Sequence, residues 1–287
     1  MNYAALIENR KSVRAFESRE VPASSLGEIR AYYEKSCHRL VPEIATELVI
    51  LDTVSGQDLV GTAGYEETLV GAPHYLVLLT EDRPLAGENA GYMMEDLVLK
   101  LCDMDLQTCW ITFADGETVK AALGLQSPLK IAAIAAFGYG RKTQKKLRLN
   151  ILSMSNVDIY AQRSYYSQKK DVSELVFVDR LDNIRGLDER IGFYEDMLWQ
   201  SFYSASKAPS LLNRQPYAFL LKDNDLFLVR LPDPYTDAWS EQLGLGIVLL
   251  HFSAVAEQWV GTLPWKFENF GELELPQNCR PVAVYHM

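Results

Sequence analysis

Three polar residues at alternate positions, Arg10, Ser12 and Arg14, could together bind an anion. They lie in "ENRKSVRAF" (8–16), where a predicted helix gives way to extended chain. Residues two apart in extended chain point to the same side, so both guanidinium groups and the hydroxyl would face one ligand. Arginine donates paired, charge-assisted hydrogen bonds that suit a phosphate or a planar anion. The competing interpretation is a solvated helix end, where arginine is an ordinary residue.

A second candidate lies between two prolines near residue 210. Pro209 and Pro216 exclude a helix through this segment, because proline lacks a backbone donor and biases the preceding residue toward extended geometry. Ser210, Asn213 and Gln215 then stand on a shaped loop that opens into an apolar strand. Their hydroxyl and amide groups could bind the polar edge of a flat heterocycle. Ordinary turn chemistry uses the same residue types, so that alternative stays open.

The third candidate is a basic segment, "GYGRKTQKKLRLN" (138–150), that directly follows a predicted buried strand. Such a cluster is notable in a chain whose formal net charge is −10. A flexible basic tail is the alternative interpretation. The basic residues of the segment are Arg141, Lys142, Lys145, Lys146 and Arg148.

The chain as a whole excludes several classes of protein. Its acidic charge argues against nucleic acid as a partner, because a phosphate backbone needs a basic surface. We expect no membrane span and no signal peptide, since no apolar run is long enough and the first residues are charged. The scattered cysteines and histidines predict reduced thiols in a cytoplasmic protein and no metal site.

Common catalytic motifs are also missing from the sequence. There is no GxSxG, no Walker GxxxxGK and no complete GxGxxG, so neither a hydrolase elbow nor a dinucleotide-binding loop is indicated. The neighbouring carboxylates Glu66 and Glu67 are more typical of a solvated loop than of an acid–base pair. We therefore assign no protein acid or base as a catalytic residue.

The elements that must position these residues follow from the apolar pattern. Tyr3–Asn9 is predicted to be helical, and a second helix is predicted after Pro22, with Ser25 as its cap and Glu28 three residues later. Buried strands are predicted at 47–52, 74–81 and 130–140, and a long core helix followed by a turn and a strand at 90–111.

The second half of the sequence repeats this order of elements. A helix at 194–208, two strands at 216–231 joined by a turn at Lys222–Asp225, a long apolar helix at 243–265 and a last strand at 280–287 are predicted. The intervals from Gly91 to Trp110 and from Gly246 to Trp265 both span 19 positions. The matching order favours an internal duplication, with the boundary in the polar segment 163–174.

Taken together, the three candidate segments resemble the FMN-dependent nitroreductase family. Members begin with a helix that ends in Arg-x-Ser-x-Arg-x-Phe, which "RKSVRAF" (10–16) matches at every position. "APSLLNRQPYAF" (208–219) matches the family's Ala-Pro-Ser-x-x-Asn-x-Gln-Pro-aromatic-x-Phe, its most specific motif. "GYG" (138–140) and "KLR" (146–148) match the Gly-Tyr and Lys-x-Arg near the family's last strand.

The distribution of these motifs departs from the ordinary family pattern. Members are homodimers in which the arginine and Lys-x-Arg motifs come from one subunit and the Pro-Ser-x-x-Asn loop from the other. Here each half of the chain keeps what the other lacks. The resemblance therefore implies an α+β nitroreductase-like fold with two α/β halves, 1–165 and 166–287, that form an intramolecular pseudo-dimer. We expect a monomer that mimics the family homodimer.

The resemblance also implies a function and a site. It implies an FMN-dependent oxidoreductase that takes hydride from NAD(P)H and passes it, in ping-pong order, to a small-molecule acceptor such as a nitroaromatic or a quinone. An FMN-binding sensor or carrier without turnover is the alternative, and a remnant that binds no FMN is a third possibility. The implied cofactor-binding residues are Arg10, Lys11, Ser12, Arg14, Lys146, Arg148, Pro209, Ser210, Leu211 and Asn213.

One family feature is missing from the first half. Members often carry an Asn and a Lys near the flavin pyrimidine, whereas "GYEETLVGAP" (64–73) has Tyr65, Glu66 and Glu67 in that region. Without the lysine, the negative charge of a reduced flavin would be less well compensated. Substrate preference or reduction potential would differ accordingly.

Overall fold

Two four-stranded sheets and a central pair of long helices form the framework of the protein. The computed structural model describes residues 1–66, 68–141, 147–153, 156–161, 168–183, 195–262 and 264–286. The helices of these ranges are α1 Tyr3–Asn9, α2 Ala23–Lys35, α3 Ala86–Asp103, α4 Gly116–Ala122, α5 Glu195–Ser206 and α6 Ala238–Val260. The strands are β1 Thr46–Leu51, β2 His74–Thr80, β3 Gln107–Ile111, β4 Lys130–Gly138, β5 Leu147–Ser153, β6 Asn156–Ala161, β7 Val176–Val178, β8 Tyr217–Lys222, β9 Asp225–Arg230 and β10 Arg280–His286.

The first sheet has the order β1-β2-β4-β3, and every neighbouring pair is antiparallel. All seven residues of β2 are buried, which explains the unbroken apolar run in its sequence. One face packs against α2 and α3, and the other packs against α4 and a 3-10 turn at Ser55–Leu59. The edge strand β3 leads from the core to residues that line the cleft described below.

The second sheet has the order β10-β9-β8-β7. Strands β8, β9 and β10 are antiparallel neighbours, whereas β7 runs parallel to β8 at the edge. Three aromatic rings, Phe202 of α5, Phe219 of β8 and Phe252 of α6, meet with centroids 5.2–5.4 Å apart. Rings at this separation add to the free energy gained from their buried area, so they fasten α5 and α6 to this sheet.

The central helices α3 and α6 make the most extensive contact between any two of the described elements. Gly91 of α3 lies against the backbone of α6 at Leu243, and Gly246 of α6 lies against the backbone of α3 at Glu88. A Cβ atom at either glycine would overlap the facing carbonyl oxygen. The two glycines therefore permit a backbone approach that no other residue type allows.

Most of the predicted elements are confirmed. Helix α1 has the predicted bounds, the strands at 46–51, 74–80, 217–222 and 225–230 match within a residue or so, and the two long helices form the central pair. The long helix of the first half was expected from about residue 90 and begins at Ala86. Leu85 precedes it in the left-handed conformation (φ 66°) without a side-chain cap, so the sequence carries no start signal there.

One cap prediction was wrong. Helix α2 begins at Ala23 after Pro22, and no side chain caps it, so Ser25 lies inside the first turn. Proline's fixed φ starts the helix without a capping serine, and Ser25 donates its backbone N–H to the Pro22 carbonyl.

The two main sheets divide along the chain as the predicted halves do. Strands of the first sheet lie between residues 46 and 138, and those of the second lie between 176 and 286. Strand β7, just after the segment 163–174, belongs to the second sheet. The boundary near residue 165 itself stays a prediction. No helix of the described ranges combines the length and apolar character needed to cross a bilayer.

We expect Gly246→Ala to destabilise the protein by about 1–3 kcal/mol, because the new methyl group meets the α3 backbone, which cannot move aside as a side chain could. Gly244→Ala is the matched control in the same helix. No atom lies within 4 Å of a Cβ built at Gly244, so this change should stabilise the protein by about 0.5–1 kcal/mol. Urea unfolding of both variants measures the difference, and equal effects would contradict the close helix crossing.

Candidate functional site

A cleft of about 2400 Å³ lies where the two halves of the chain meet. This volume exceeds the roughly 300–1,000 Å³ of an ordinary small-molecule pocket, so the cleft has room for more than one ligand. Segments that are far apart in the sequence form its walls. They are residues 7–15, 109–117, 168–172, 209–213 and the start of α6.

The cleft brings together the two sequence motifs that are nearly two hundred positions apart. Arg10, Ser12 and Arg14 line it, together with Lys11. The loop residues Pro209, Ser210, Leu211 and Asn213 line the same cleft. Eight of the ten candidate cofactor-binding residues therefore line this one cleft.

The two remaining candidates are not placed in the cleft. Lys146 lies outside the described residues, and the backbone of Arg148 lies in β5, which pairs with β6 as an antiparallel ribbon. Within the basic segment, residues 147–150 thus lie in a strand and not in a tail. Arg141 does line the cleft, and its backbone N–H donates to the Ala15 carbonyl oxygen at 2.8 Å.

Backbone pairing with β3 positions the arginine motif. Helix α1 ends at Asn9, and Arg10 has extended geometry (φ −60°, ψ 131°). Ser12 then forms a parallel bridge with Thr108, and the Val13 N–H donates to the Thr108 carbonyl oxygen at 2.9 Å. Because this stretch is extended, the residues at 10, 12 and 14 can present their side chains to the same cleft.

Arg10 forms an ion pair with a buried carboxylate behind the cleft wall. Its Nε lies 3.3 Å from Oε1 of Glu95, a fully buried carboxylate of α3. The Arg10 side chain is only 8% exposed, and its Nε–H makes no hydrogen bond within the described part of the chain. Arg10 and Glu95 can form an ion pair without a hydrogen bond from Nε, since the two groups are close but the Nε–H is poorly aligned with the carboxylate oxygen. A buried donor without a partner is costly, and the charge of Glu95 offsets part of that cost.

Glu95 is also held by two other side chains. Trp110 Nε1 donates to its Oε2 at 2.7 Å, and His251 Nε2 lies 3.0 Å from its Oε1. Burial acts to raise the pKa of Glu95, but the charge of Arg10 and the hydrogen bonds from His251 and Trp110 outweigh it. The pKa is held below its usual range, so Glu95 is a carboxylate anion.

The loop that contains Ser210 and Asn213 is held by the buried side chain of Gln215. Its Nε2 donates to the Ser206 carbonyl oxygen and to the Tyr217 hydroxyl, and its Oε1 accepts from the Lys170 N–H at 2.9 Å. Within the loop, Leu212, Asn213 and Gln215 have positive φ angles of 49°, 56° and 49°. Such conformations cost about 1–3 kcal/mol each and persist where surrounding contacts fix them.

Lys169 is a cleft residue that the sequence analysis did not identify. Its ammonium donates to the Ala208 carbonyl oxygen at 2.8 Å, the one acceptor it reaches within the described ranges. Burial, with the charge of Arg10 as a second cause, lowers its pKa to about 8. In the sequence, Lys169 and Lys170 were part of a polar boundary segment, and nothing local distinguished them from a solvated linker.

The cleft is more basic than the rest of the chain. Of the described residues that line it, eight are lysine or arginine and seven are aspartate or glutamate. The whole chain, in contrast, has 28 lysine and arginine residues and 38 aspartate and glutamate residues. Tyr65 and Glu66 lie in the wall that lacks the lysine noted above, while Glu67 lies outside the described residues. Among the described residues, no three His, Cys, Asp or Glu side chains come together as a metal site.

Comparisons with known proteins identify the family and the fold. The family model described as "Putative TM nitroreductase" matches residues 2–256. A solved structure of a "putative nitroreductase" from Thermotoga maritima is 18% identical, with a TM-score of 0.59, over 100% of this chain and 94% of that one. At this identity the likeness shows the fold alone.

Other solved structures match about half of the chain. A nitroreductase with bound FMN from Bacteroides fragilis is 19% identical with a TM-score of 0.42, over 56% of this chain and 99% of that one. An FMN-dependent nitroreductase from Clostridium difficile is 18% identical with a TM-score of 0.42, over 48% of this chain and 88% of that one. No curated protein matches the chain.

The lowered pKa of Lys169 predicts how stability depends on pH. The unfolded chain has the higher lysine pKa of 10.5 and so binds more protons between about pH 8 and pH 10.5. The free energy of unfolding contributed by Lys169 should therefore rise as the pH rises through this window. Urea unfolding of the wild type and of Lys169→Met at about pH 7 and about pH 10 measures this. The free energy of unfolding of the wild type, relative to that of Lys169→Met, should be higher at about pH 10 than at about pH 7.

Lys169→Arg is the control, because arginine keeps its charge throughout this range. Its stability relative to Lys169→Met should not change between the two pH values. A wild-type profile that runs parallel to those of both variants would show that the ammonium is not desolvated in the cleft.

Proposed function

Because the chain belongs to the nitroreductase family whose model matches residues 2–256, we propose that it is an FMN-dependent oxidoreductase with one FMN site per chain. FMN would supply hydride transfer from NAD(P)H to a small acceptor, such as a nitroaromatic or a quinone, in ping-pong order. The observation that carries the proposal is the meeting of the 10–14 and 209–213 segments in one cleft.

The residues present fit such a ligand. Arg10 lines a cleft that is enriched in basic side chains, and the buried Glu95 carboxylate lies beside its guanidinium group. A phosphate group carries about −1.5 to −2 charge near neutral pH and accepts several hydrogen bonds. In this proposal Arg10, Lys11, Ser12 and Arg14, with Lys146 and Arg148, bind the phosphate end of FMN.

The loop residues 209–213 would hold the flat ring system of FMN. Pro209, Ser210, Leu211 and Asn213 line the cleft on a backbone that Gln215 fixes, so their positions are set before a ligand arrives. A preorganised loop loses little conformational entropy on binding. Asn213 Nδ2 donates to the Gln168 carbonyl oxygen at 2.8 Å, which holds the linker segment beside the loop.

We also propose that the chain is a duplicated unit that takes the place of a homodimer. Two observations support this. The order β1-β2-α3-β4 in the first half corresponds to β8-β9-α6-β10 in the second, and the three strands of each set are antiparallel neighbours in the same order. Gly91 of α3 contacts the backbone of α6, and Gly246 of α6 makes the corresponding contact with the backbone of α3, as a two-fold relation requires.

Titration of the purified protein with FMN should saturate near one FMN per chain, because each half contributes one wall of the cleft. Addition of NADPH under anaerobic conditions should then bleach the yellow colour, and a quinone should restore it. Absorption spectroscopy follows both steps. A protein that binds FMN without bleaching would be a carrier or sensor, and two equivalent FMN sites would contradict the duplicated arrangement.

Arg10→Ala should weaken FMN binding much more than riboflavin binding, because riboflavin lacks the phosphate. A charge-assisted hydrogen bond contributes about 1.5–3 kcal/mol, so the loss for FMN should be on the order of 10- to 100-fold. Fluorescence quenching gives both dissociation constants. Arg39→Ala is the control, since Arg39 stacks on Tyr33 away from the cleft. Equal losses for the two ligands would place Arg10 away from the phosphate.

A further inference from the structure

Beneath the cleft, Glu95 and His251 form a buried pair for which the proposed function gives no role. Glu95 comes from α3 and His251 from α6, and both side chains are fully buried. His251 Nε2 lies 3.0 Å from Glu95 Oε1, and Arg10 Nε lies 3.3 Å from the same oxygen. The pair thus joins the central helix interface to the wall of the cleft.

The hydrogen bonds of His251 fix the number of its protons. Its Nδ1 lies 3.0 Å from the Ser204 carbonyl oxygen, which can only accept, so Nδ1 carries a proton. Its Nε2 faces a carboxylate oxygen, and a hydrogen bond there requires one further proton. An imidazole that lacked either proton would set two lone pairs against each other in a buried site.

The contacts of Glu95 favour the second proton on His251. Arg10 and Trp110 both act on the same carboxylate, by charge and by a hydrogen bond at 2.7 Å. Each of these contacts favours the ionised form of Glu95. With that proton His251 would be an imidazolium, and Arg10, Glu95 and His251 together would carry one net positive charge.

This positive charge has no counter-ion in the group itself. A buried charge is costly unless it is paired, and Lys169, which lies close enough to interact with Arg10 and Glu95, is also a cation. The open direction from the group is the cleft, which the Arg10 side chain lines. A negative group on a ligand in the cleft would complete the charge balance.

We propose that Glu95 and the doubly protonated His251 are positioning residues for an anionic ligand. The Glu95 carboxylate holds the Arg10 guanidinium in the cleft wall. His251 offsets the charge of Glu95, so that Arg10 keeps its full attraction for the ligand's phosphate. The identity of this ligand as FMN rests on the proposed function, whereas the protonation of His251 does not.

The first experiment measures the protonation state directly in the ligand-free protein. Nitrogen-15 NMR at about pH 7 distinguishes protonated from unprotonated ring nitrogens, and His251→Gln assigns the resonances among the four histidines. We expect both ring nitrogens of His251 to carry protons. One unprotonated ring nitrogen would overturn the proposal.

The second experiment compares FMN and riboflavin binding in Glu95→Gln and His251→Gln. Each change should lower the ratio of FMN to riboflavin affinity on the order of 10-fold, within the range typical for partners that orient a binding residue. Glu88→Gln is the matched control, because Glu88 is another buried carboxylate of α3 but does not contact Arg10. Its ratio should stay within about twofold of the wild type.

The outcomes separate this proposal from the proposed function. An unchanged ratio in both folded variants, checked by circular dichroism, would overturn the positioning role, since a merely structural role would weaken both ligands equally. If the variants do not fold, His38→Gln, His74→Gln and His286→Gln assign the other three histidines, so the wild-type spectrum still decides the protonation of His251 and with it the proposal. Failure of the wild type to bind FMN would overturn the proposed function, while the NMR result would remain valid.

Discussion

The close crossing of α3 and α6 is the constraint on which the rest of the structure depends. The two helices approach so closely that a side chain at Gly91 or Gly246 would overlap the opposite backbone. Each helix packs on its own sheet, so this contact also sets the distance between the two sheets. Both helices are buried over most of their lengths, and neither has a face left for solvent. The cleft exists because its walls are fixed to these two helices.

Buried polar groups in the interface connect the helix crossing to the cleft. Adjacent residues of α3, Glu95 and Asp96, are both fully buried carboxylates. Asp96 accepts hydrogen bonds from the Tyr3 and Tyr32 hydroxyls and the His38 N–H, which attach α1 and α2 to α3. Fully satisfied polar groups of this kind fix one packing arrangement, because a shifted helix would leave a buried charge unpaired. Since α1 ends at Asn9, the same contacts also fix where Arg10 enters the cleft.

The sequence predicted features whose signals are local. Unbroken apolar runs identified β2, β4 and both central helices, and the pattern of prolines identified the loop at 209–216. The three-residue strand β7 and the ribbon β5–β6 were missed, because such short or polar strands depend on their partners and not on periodicity. Lys169, Glu95 and His251 were missed for a similar reason. Their importance comes from neighbours far away in the chain, and each looks ordinary within its own segment.

The segment between the two sheets would explain why the proposed duplication has a single site. Residues 168–178 follow the first half, yet they line the cleft with Lys169, hold the loop through Lys170 and Gln215, and add β7 to the second sheet. The first sheet has no corresponding parallel strand within the described ranges, and its outer strand β1 pairs with β2 alone. Because the segment 168–178 occurs once per chain, it can complete only one such cleft. If the chain is the duplicated unit proposed above, each half could then lose the motif that only a second site would need.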